Sequence, residues 1–118
     1  MEFKSDRPIY IQIVDLCLAR ILSGEWQPGG RVPSVRELAV QLAVNSHTVL
    51  KSFEVLEADG IIYSRRGLGF FLADDARERA LKALRAEFFE ITLRDLFKSM
   101  EMLGVSIDDV VARYRALK

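Results

Sequence analysis

Pro8 opens a stretch in which Tyr10, Ile13, Val14, Cys17 and Ile21 recur at three- and four-residue spacing, and Gly24 follows as a stop. This spacing predicts a helix over residues 9–23. Ile11, Leu18 and Leu22 add a second apolar edge, wider than one small core requires, so a further element is expected to pack there. Residues 27–33 are rich in Pro and Gly and form a connector with room for only a very short strand. Ser34 and Glu37 stand at capping-box spacing ahead of Leu38, Ala39, Leu42 and Ala43, which predicts a short amphipathic helix. The pattern breaks over residues 44–47. Asn45 is suited to cap a third helix whose core face carries Val49, Phe53 and Leu56 and whose stop is Gly60. Two helices joined by a tight turn are a helix-turn-helix candidate.

Residues 61–65 and 70–72 are β-prone and flank Arg66, Gly67, Leu68 and Gly69, a basic, glycine-bearing hairpin tip. A helix-turn-helix followed by a hairpin is a winged helix. Residues 74–118 contain no proline, and Asp74 and Asp75 suit a helix start. A continuous helix over residues 75–103 would span about 44 Å. Its apolar positions, Leu81, Leu84, Phe88, Ile91, Leu93, Leu96, Phe97, Met100 and Leu103, drift around the helix and call for partners beyond the winged domain. Gly104 ends it, and Ser106 with Asp109 caps a last helix carrying Val110, Val111, Tyr114 and Leu117. The expected fold class is mostly α with a small β-wing. A winged helix-turn-helix domain is expected over residues 1–73 and a two-helix tail over residues 74–118.

The chain has 118 residues, about one domain, of which 50% are hydrophobic and 29% charged, a globular rather than a disordered composition. Lys plus Arg and Asp plus Glu are 17 each, so no overall field draws the protein to polyanions, and any such binding must come from local placement. One cysteine, Cys17, and one histidine, His47, exclude a disulfide framework and a zinc site of Cys and His ligands. No metal and no cofactor are expected. Cys17, on the core stripe of the first helix, reads as a small buried hydrophobe. No run approaches the roughly 18 to 20 apolar residues of a membrane span, and residues 1–7 carry mixed charge without the apolar run of a secretory signal. A cytoplasmic protein with no membrane partner is expected. No carboxylate pair, nucleophile and base, or phosphate-cradling glycine loop is present, so the chain does not read as an enzyme.

The chemistry that remains is nucleic-acid binding. With Val49 set toward the core and 100° per residue, His47 and Lys51 fall near the opposite side of the third helix, flanked by Thr48, Leu50, Glu54 and Val55. Asn45, Ser46, His47, Thr48 and Lys51 are therefore the expected reading end in a major groove. Arg36 and Arg31, with Ser34 at the helix cap, can reach phosphates and fix register. Arg65 and Arg66 supply charge in the wing, where Gly67 and Gly69 let the backbone approach DNA. The alternative is a winged helix serving as a protein-interaction module, which has no electrostatic reason to gather Arg31, Arg36, Lys51 and the wing cations.

The ordered set of Pro8, Ile9, Tyr10, Gln12 and Ile13, Pro28 and Gly29, Arg31 to Ser34, Arg36 to Ala39, Asn45, Thr48, Val49 and Lys51, Leu56, Gly60 and Ile61, and Arg66, Gly67 and Gly69 resembles the GntR winged-helix domain. The short tail resembles the YtrA branch of that family. The resemblance implies a dimeric bacterial transcription regulator of double-stranded DNA, paired through its C-terminal helices, with transporter genes as the suggested target. Leu81, Leu84, Phe88, Ile91, Leu96 and Met100 are the expected dimerisation residues. Several GntR branches carry arginine where Ser46 and Leu50 stand here, so direct guanine readout is reduced and the operator is left open. An effector is not identified, and roughly 45 tail residues leave little volume for the 300–1,000 Å³ pocket of an ordinary ligand domain.

Overall fold

The computed structural model describes residues 7–118; residues 1–6, most of the stretch read above for a secretory signal, lie outside the described residues. It comprises two compact units, Met1–Leu84 and Arg85–Lys118.

In the first unit, α1 (Ile9–Ser23), α2 (Val35–Leu42) and α3 (Ser46–Ala58) precede a hairpin of β1 (Ile62–Arg65) and β2 (Gly69–Leu72), and α4 (Ala76–Glu87) begins. The predicted signals close these elements. Pro8 opens α1 and Gly24 ends it, Ser34 and Glu37 form both halves of the capping box on α2, and Asn45 caps α3. Ile13, Cys17, Leu18 and Ile21 of α1 meet Leu38 and Leu42 of α2, Val49, Phe53 and Leu56 of α3, and Ile62 and Leu72 of the hairpin in one buried core. Each large apolar side chain so buried contributes about 1.5–3 kcal/mol. Phe53 meets Phe70 edge-on, with ring centroids 5.2 Å apart, which fixes α3 against the wing.

The hairpin register pairs Ile62 with Leu72 and Tyr63 with Phe71. Strand alternation turns the first pair inward and leaves Tyr63 and Phe71 stacked on the outer face, 6.0 Å apart. The connector, with room for only a very short strand, forms a single β-bridge: Val32 N–H donates to the Phe70 carbonyl at 3.0 Å, Leu72 N–H donates to the Gly30 carbonyl at 2.9 Å, and Arg31 bridges to Phe71.

The second apolar edge of α1 finds its partner in α4. Ala76 and Ala80 lie in the buried core, Leu22 and Leu84 pack against it, and the Arg77 guanidinium donates to the Leu22 carbonyl at the end of α1. The compact unit therefore closes at Leu84, beyond residue 73 where the sequence placed the end of the winged domain. Arg79 works in the same way on α3: its Nε is 2.8 Å from Asp75 Oδ2, and its Nη1 donates to the Asp59 carbonyl at 3.2 Å.

The second unit holds the end of α4, a π-helical turn at Phe88–Thr92, α5 (Leu93–Leu103) and α6 (Ile107–Ala116). The expected helix over residues 75–103 is thus helical but not uniform. Leu93 N–H bonds the Phe88 carbonyl five residues back, and one extra residue in a turn leaves no mark in apolar spacing. The Ser106 and Asp109 capping box opens α6 as predicted. No residue of the π turn, α5 or α6 is buried, and Phe88, Phe97 and Leu103 are 49%, 50% and 68% exposed. A recess of about 540 Å³ is lined by Val105, Asp109, Val110, Ala112 and Arg113. Its volume exceeds what the tail was expected to offer, but its walls come from α6 and the residue leading into it, and Val105, Asp109 and Arg113 are exposed, so it is a surface recess. Among the described residues no helix is long and apolar enough to cross a membrane.

Candidate nucleic-acid interface

At the start of α2, Ser34 Oγ accepts from Glu37 N–H at 3.0 Å and Ser34 N–H donates to Glu37 Oε1 at 3.3 Å. Arg31 Nη2 stands 3.8 Å from the same carboxylate oxygen. The Ser34 backbone N–H first, then its hydroxyl, and Arg31 after them hold the Glu37 carboxyl below the usual carboxylate range. Ser34 and Arg31 are thus tied to a carboxylate, whereas Arg36, two residues into the helix, is exposed and makes no ion pair or hydrogen bond among the described residues.

At the start of α3, Asn45 Oδ1 accepts from His47 N–H at 2.8 Å, which leaves the Asn45 amide N–H groups and the His47 ring to face outward. Ser46, His47, Leu50 and Lys51 are exposed and Thr48 is half-buried, while Val49, Ser52 and Phe53 turn inward, the arrangement the helical wheel predicted. Lys51 is not a free cation, however. Its Nζ lies 4.4 Å from the centre of the Tyr10 ring on α1, and Ser52 Oγ–H, one residue on, donates to the Tyr10 carbonyl at 2.8 Å. His47, Thr48 and Lys51 share with Ile9 and Tyr10 a cleft of about 340 Å³.

In the wing, Arg65 lies over the Phe71 ring at 5.1 Å, while Arg66 is exposed and free of such contacts. Gly67 faces open space at the tip. Gly69 has φ +105°, a conformation side chains rarely adopt, and a Cβ there would stand 3.3 Å from Arg31 Nε. The sequence reading gave Gly69 the single task of letting the backbone approach DNA; its near neighbour in the fold is the Arg31 side chain. Arg31 therefore joins the start of α2 to the wing, through Glu37 on one side and Phe71 and Gly69 on the other. The structure brings His47, Thr48 and Lys51 together, and joins Arg31 to Ser34 through Glu37. Arg36 and Arg66 stand apart. Tyr10 is the residue the list of contacts lacks: the sequence places it on the apolar stripe of the first helix and in the GntR-like set, and no local signal links positions 41 residues apart.

Cys17 is buried, and burial pushes its thiol up to about 12 against a weaker downward pull from Arg20, so it is neutral and inert. Among the described residues no group of three His, Cys, Asp or Glu could hold a metal ion.

Residues 9–72 match the family model described as bacterial regulatory proteins, gntR family. The chain belongs to the GntR family. It is 34% identical to the transcriptional regulator YhcF of Bacillus subtilis over 93% of this chain and 89% of that one. It is 32% identical to the transcriptional repressor YtrA of the same organism over 89% of this chain and 80% of that one, and within the GntR family it is YtrA-like. A GntR family regulator from Listeria monocytogenes has a similar structure, with TM-score 0.76 and 31% identity over 98% of this chain and 100% of that one. The DNA-binding domain of AraR in complex with operator ORX1 aligns with TM-score 0.57 and 30% identity over 61% of this chain and 93% of that one. The GntR protein is a DNA-binding transcriptional regulator with a winged-helix fold, and not an enzyme.

Proposed function

We propose that the protein binds a palindromic operator as a homodimer and represses transcription by occupying it in the cytoplasm. The observation that carries this reading is the outer face of α3, left uncovered by the fold and headed by the capped first turn of Asn45, Ser46 and His47. In the proposed complex that turn enters the major groove, with Asn45, His47 and Lys51 as the base-edge donors and Ser46 and Thr48 beside them. Arg31, Ser34 and Arg36 contact phosphates, and Arg65, Arg66, Gly67 and Gly69 follow the adjacent strand or minor groove. Residues 74–118 pair the subunits through Leu81, Leu84, Phe88, Ile91, Leu96 and Met100. Support comes from Leu81, Phe88, Ile91 and Leu96, all at least 40% exposed in the single chain, more apolar surface than an isolated subunit ordinarily shows. Two such subunits present reading ends one helical turn, about 34 Å, or a multiple of it apart. The repressor role follows its relative YtrA, a transcriptional repressor, and control of a transporter operon follows the YtrA-like resemblance.

The test is DNA affinity as a function of salt. With about six to ten phosphates neutralised per dimer, log K against log salt has a slope of roughly −5 to −9, and Arg36→Ala and Arg66→Ala flatten it on every sequence. On a selected operator, His47→Ala costs about 1–3 kcal/mol and much less on random DNA. Equal losses on both DNAs would remove the base-reading role. Light scattering of Leu96→Glu, which replaces an exposed side chain, yields a monomer if the tail pairs the subunits.

A further inference from the structure

We infer that Tyr10 is a positioning residue of the DNA-binding face, whose ring holds the Lys51 ammonium in place before DNA arrives. The inference rests on the proposed docking of α3 and adds a residue from outside the helix-turn-helix. Tyr10 meets the recognition helix twice. Its carbonyl, at 2.8 Å, is the nearer of the two acceptors for the one Ser52 hydroxyl hydrogen, the Thr48 carbonyl being 3.1 Å away, and Ser52 is 0% exposed, so this contact ties α1 to α3 at this turn. Its ring then lies under Lys51, with Nζ 4.4 Å from the ring centre. The adjacent residue of α3 thus receives a cation–π contact from the same partner that receives the hydrogen bond. Tyr10 is itself half-buried on a helix whose inner face forms the core, so the ring is a fixed platform, while Lys51 is exposed and keeps its outward ammonium hydrogens for a ligand.

A free lysine surrenders much of its rotamer freedom when it binds a phosphate or base edge. A lysine already resting on a ring has surrendered part of it during folding. The cation–π contact leaves the charge intact, unlike a carboxylate, which would neutralise it and compete with DNA. Arg31, 3.8 Å from a Glu37 carboxylate oxygen, shows the other arrangement in the same domain. His47 and Thr48 line the same cleft, but only Lys51 rests on the ring.

The test measures affinity of the full chain for a labelled mixed-sequence DNA duplex at low and moderate salt, where phosphate contacts dominate. Tyr10→Leu removes the ring face and weakens binding roughly two- to fivefold per subunit, the range of a surface cation–π contact. Tyr10→Phe keeps the face and binds as the parent does. Lys51→Gln weakens binding at least as much as Tyr10→Leu, and adding Tyr10→Leu to Lys51→Gln costs nothing more. In the parent, NMR shows the Lys51 methylene protons next to Nζ shifted upfield by the ring, a readout that needs no variant to fold. The inference is overturned if Phe and Leu at position 10 weaken binding alike, if Tyr10→Leu costs the same with and without Lys51, if it leaves binding unchanged or tightens it, or if the upfield shift is absent. A neutral Tyr10→Leu beside a damaging Lys51→Gln refutes the positioning role and leaves the docking face standing. A neutral Lys51→Gln removes Lys51 from that face and the inference with it.

Discussion

Gly60→Ala tests how α4 grips the recognition helix. Gly60 follows the last residues of α3 with φ +72°, its N–H donating to the Glu57 carbonyl at 3.0 Å while Ile61 N–H reaches the Leu56 carbonyl at 2.9 Å. A Cβ at this position would stand 2.8 Å from Arg79 Nη1, too close to be tolerated without a shift. Arg79 donates from that same nitrogen to the Asp59 carbonyl, so moving it breaks the clamp on α3. Left-handed backbone at alanine costs about 1–2 kcal/mol, of which about 0.4–1 kcal/mol is recovered from the stiffer unfolded chain. The lost hydrogen bond adds about 1 kcal/mol, kept low because the guanidinium is half exposed. The expected loss is about 1–2 kcal/mol, a fall in Tm of roughly 4–10 °C. Scanning calorimetry of Gly60→Ala, Arg79→Ala and the pair separates the two contributions. With the clamp already gone, Gly60→Ala costs only the backbone strain, so the double variant loses less than the sum of the two single losses. Gly60→Asn relieves much of the strain but retains the clash and falls between. Strict additivity, or a Gly60→Ala protein as stable as the parent, would refute the clamp.

Ser34→Ala removes the acceptor for Glu37 N–H and is expected to cost about 1 kcal/mol in thermal melts. Glu37→Gln is expected to be less stable than the parent at neutral pH. Because the folded carboxyl titrates below its unfolded value, that difference is present above the ordinary carboxylate range and vanishes as pH falls through the folded value, which melts at pH 7 and about pH 3 reveal. Cys17, pushed up to about 12, is expected to resist iodoacetamide at about pH 8 in the native state and react once unfolded; rapid native labelling would show an exposed thiolate.

What the sequence disclosed about the fold was local. The Ser34 and Glu37 box, the Asn45 cap and the Ser106 and Asp109 box each act within four residues, and each stands where the spacing placed it. The compact unit runs past residue 73 to Leu84 for a physical reason. The first turns of α4 pack through Ala76 and Ala80, side chains small enough to let two helices approach and too small to register as an apolar stripe beside Leu81 and Leu84. Polar ties add to that packing: Arg77 on the Leu22 carbonyl and Arg79 on the Asp59 carbonyl. Arginines on an exposed helix face look like solvation in a sequence, and only the fold reveals two helix ends beneath them. The π turn at Phe88–Thr92 was illegible because its signature is a hydrogen bond to the fifth residue back, not a residue type.

The proposed site was legible as a list of donors but not as a set of tethers. Helical phase alone separates His47 and Lys51 from Val49 and Phe53, and glycine in a basic hairpin tip marks the wing. Which cations are held in advance depends on contacts between distant positions: Lys51 on Tyr10, Arg65 on Phe71, Arg31 between Glu37 and Gly69. Arg36 and Arg66 have no such tether among the described residues. In a chain with as many acids as bases, affinity for DNA comes from where cations stand rather than from how many there are. Tethered cations commit less side-chain entropy on binding, and untethered ones adapt to whichever phosphate is near. In the proposed complex the tethered cations, Lys51 on α3, Arg65 in the wing and Arg31 bridged to it, serve register, and the free pair on the first turn of α2 and at the wing tip serves any phosphate within reach. The aromatic and acidic partners then belong to the proposed docking face as much as the cations they hold.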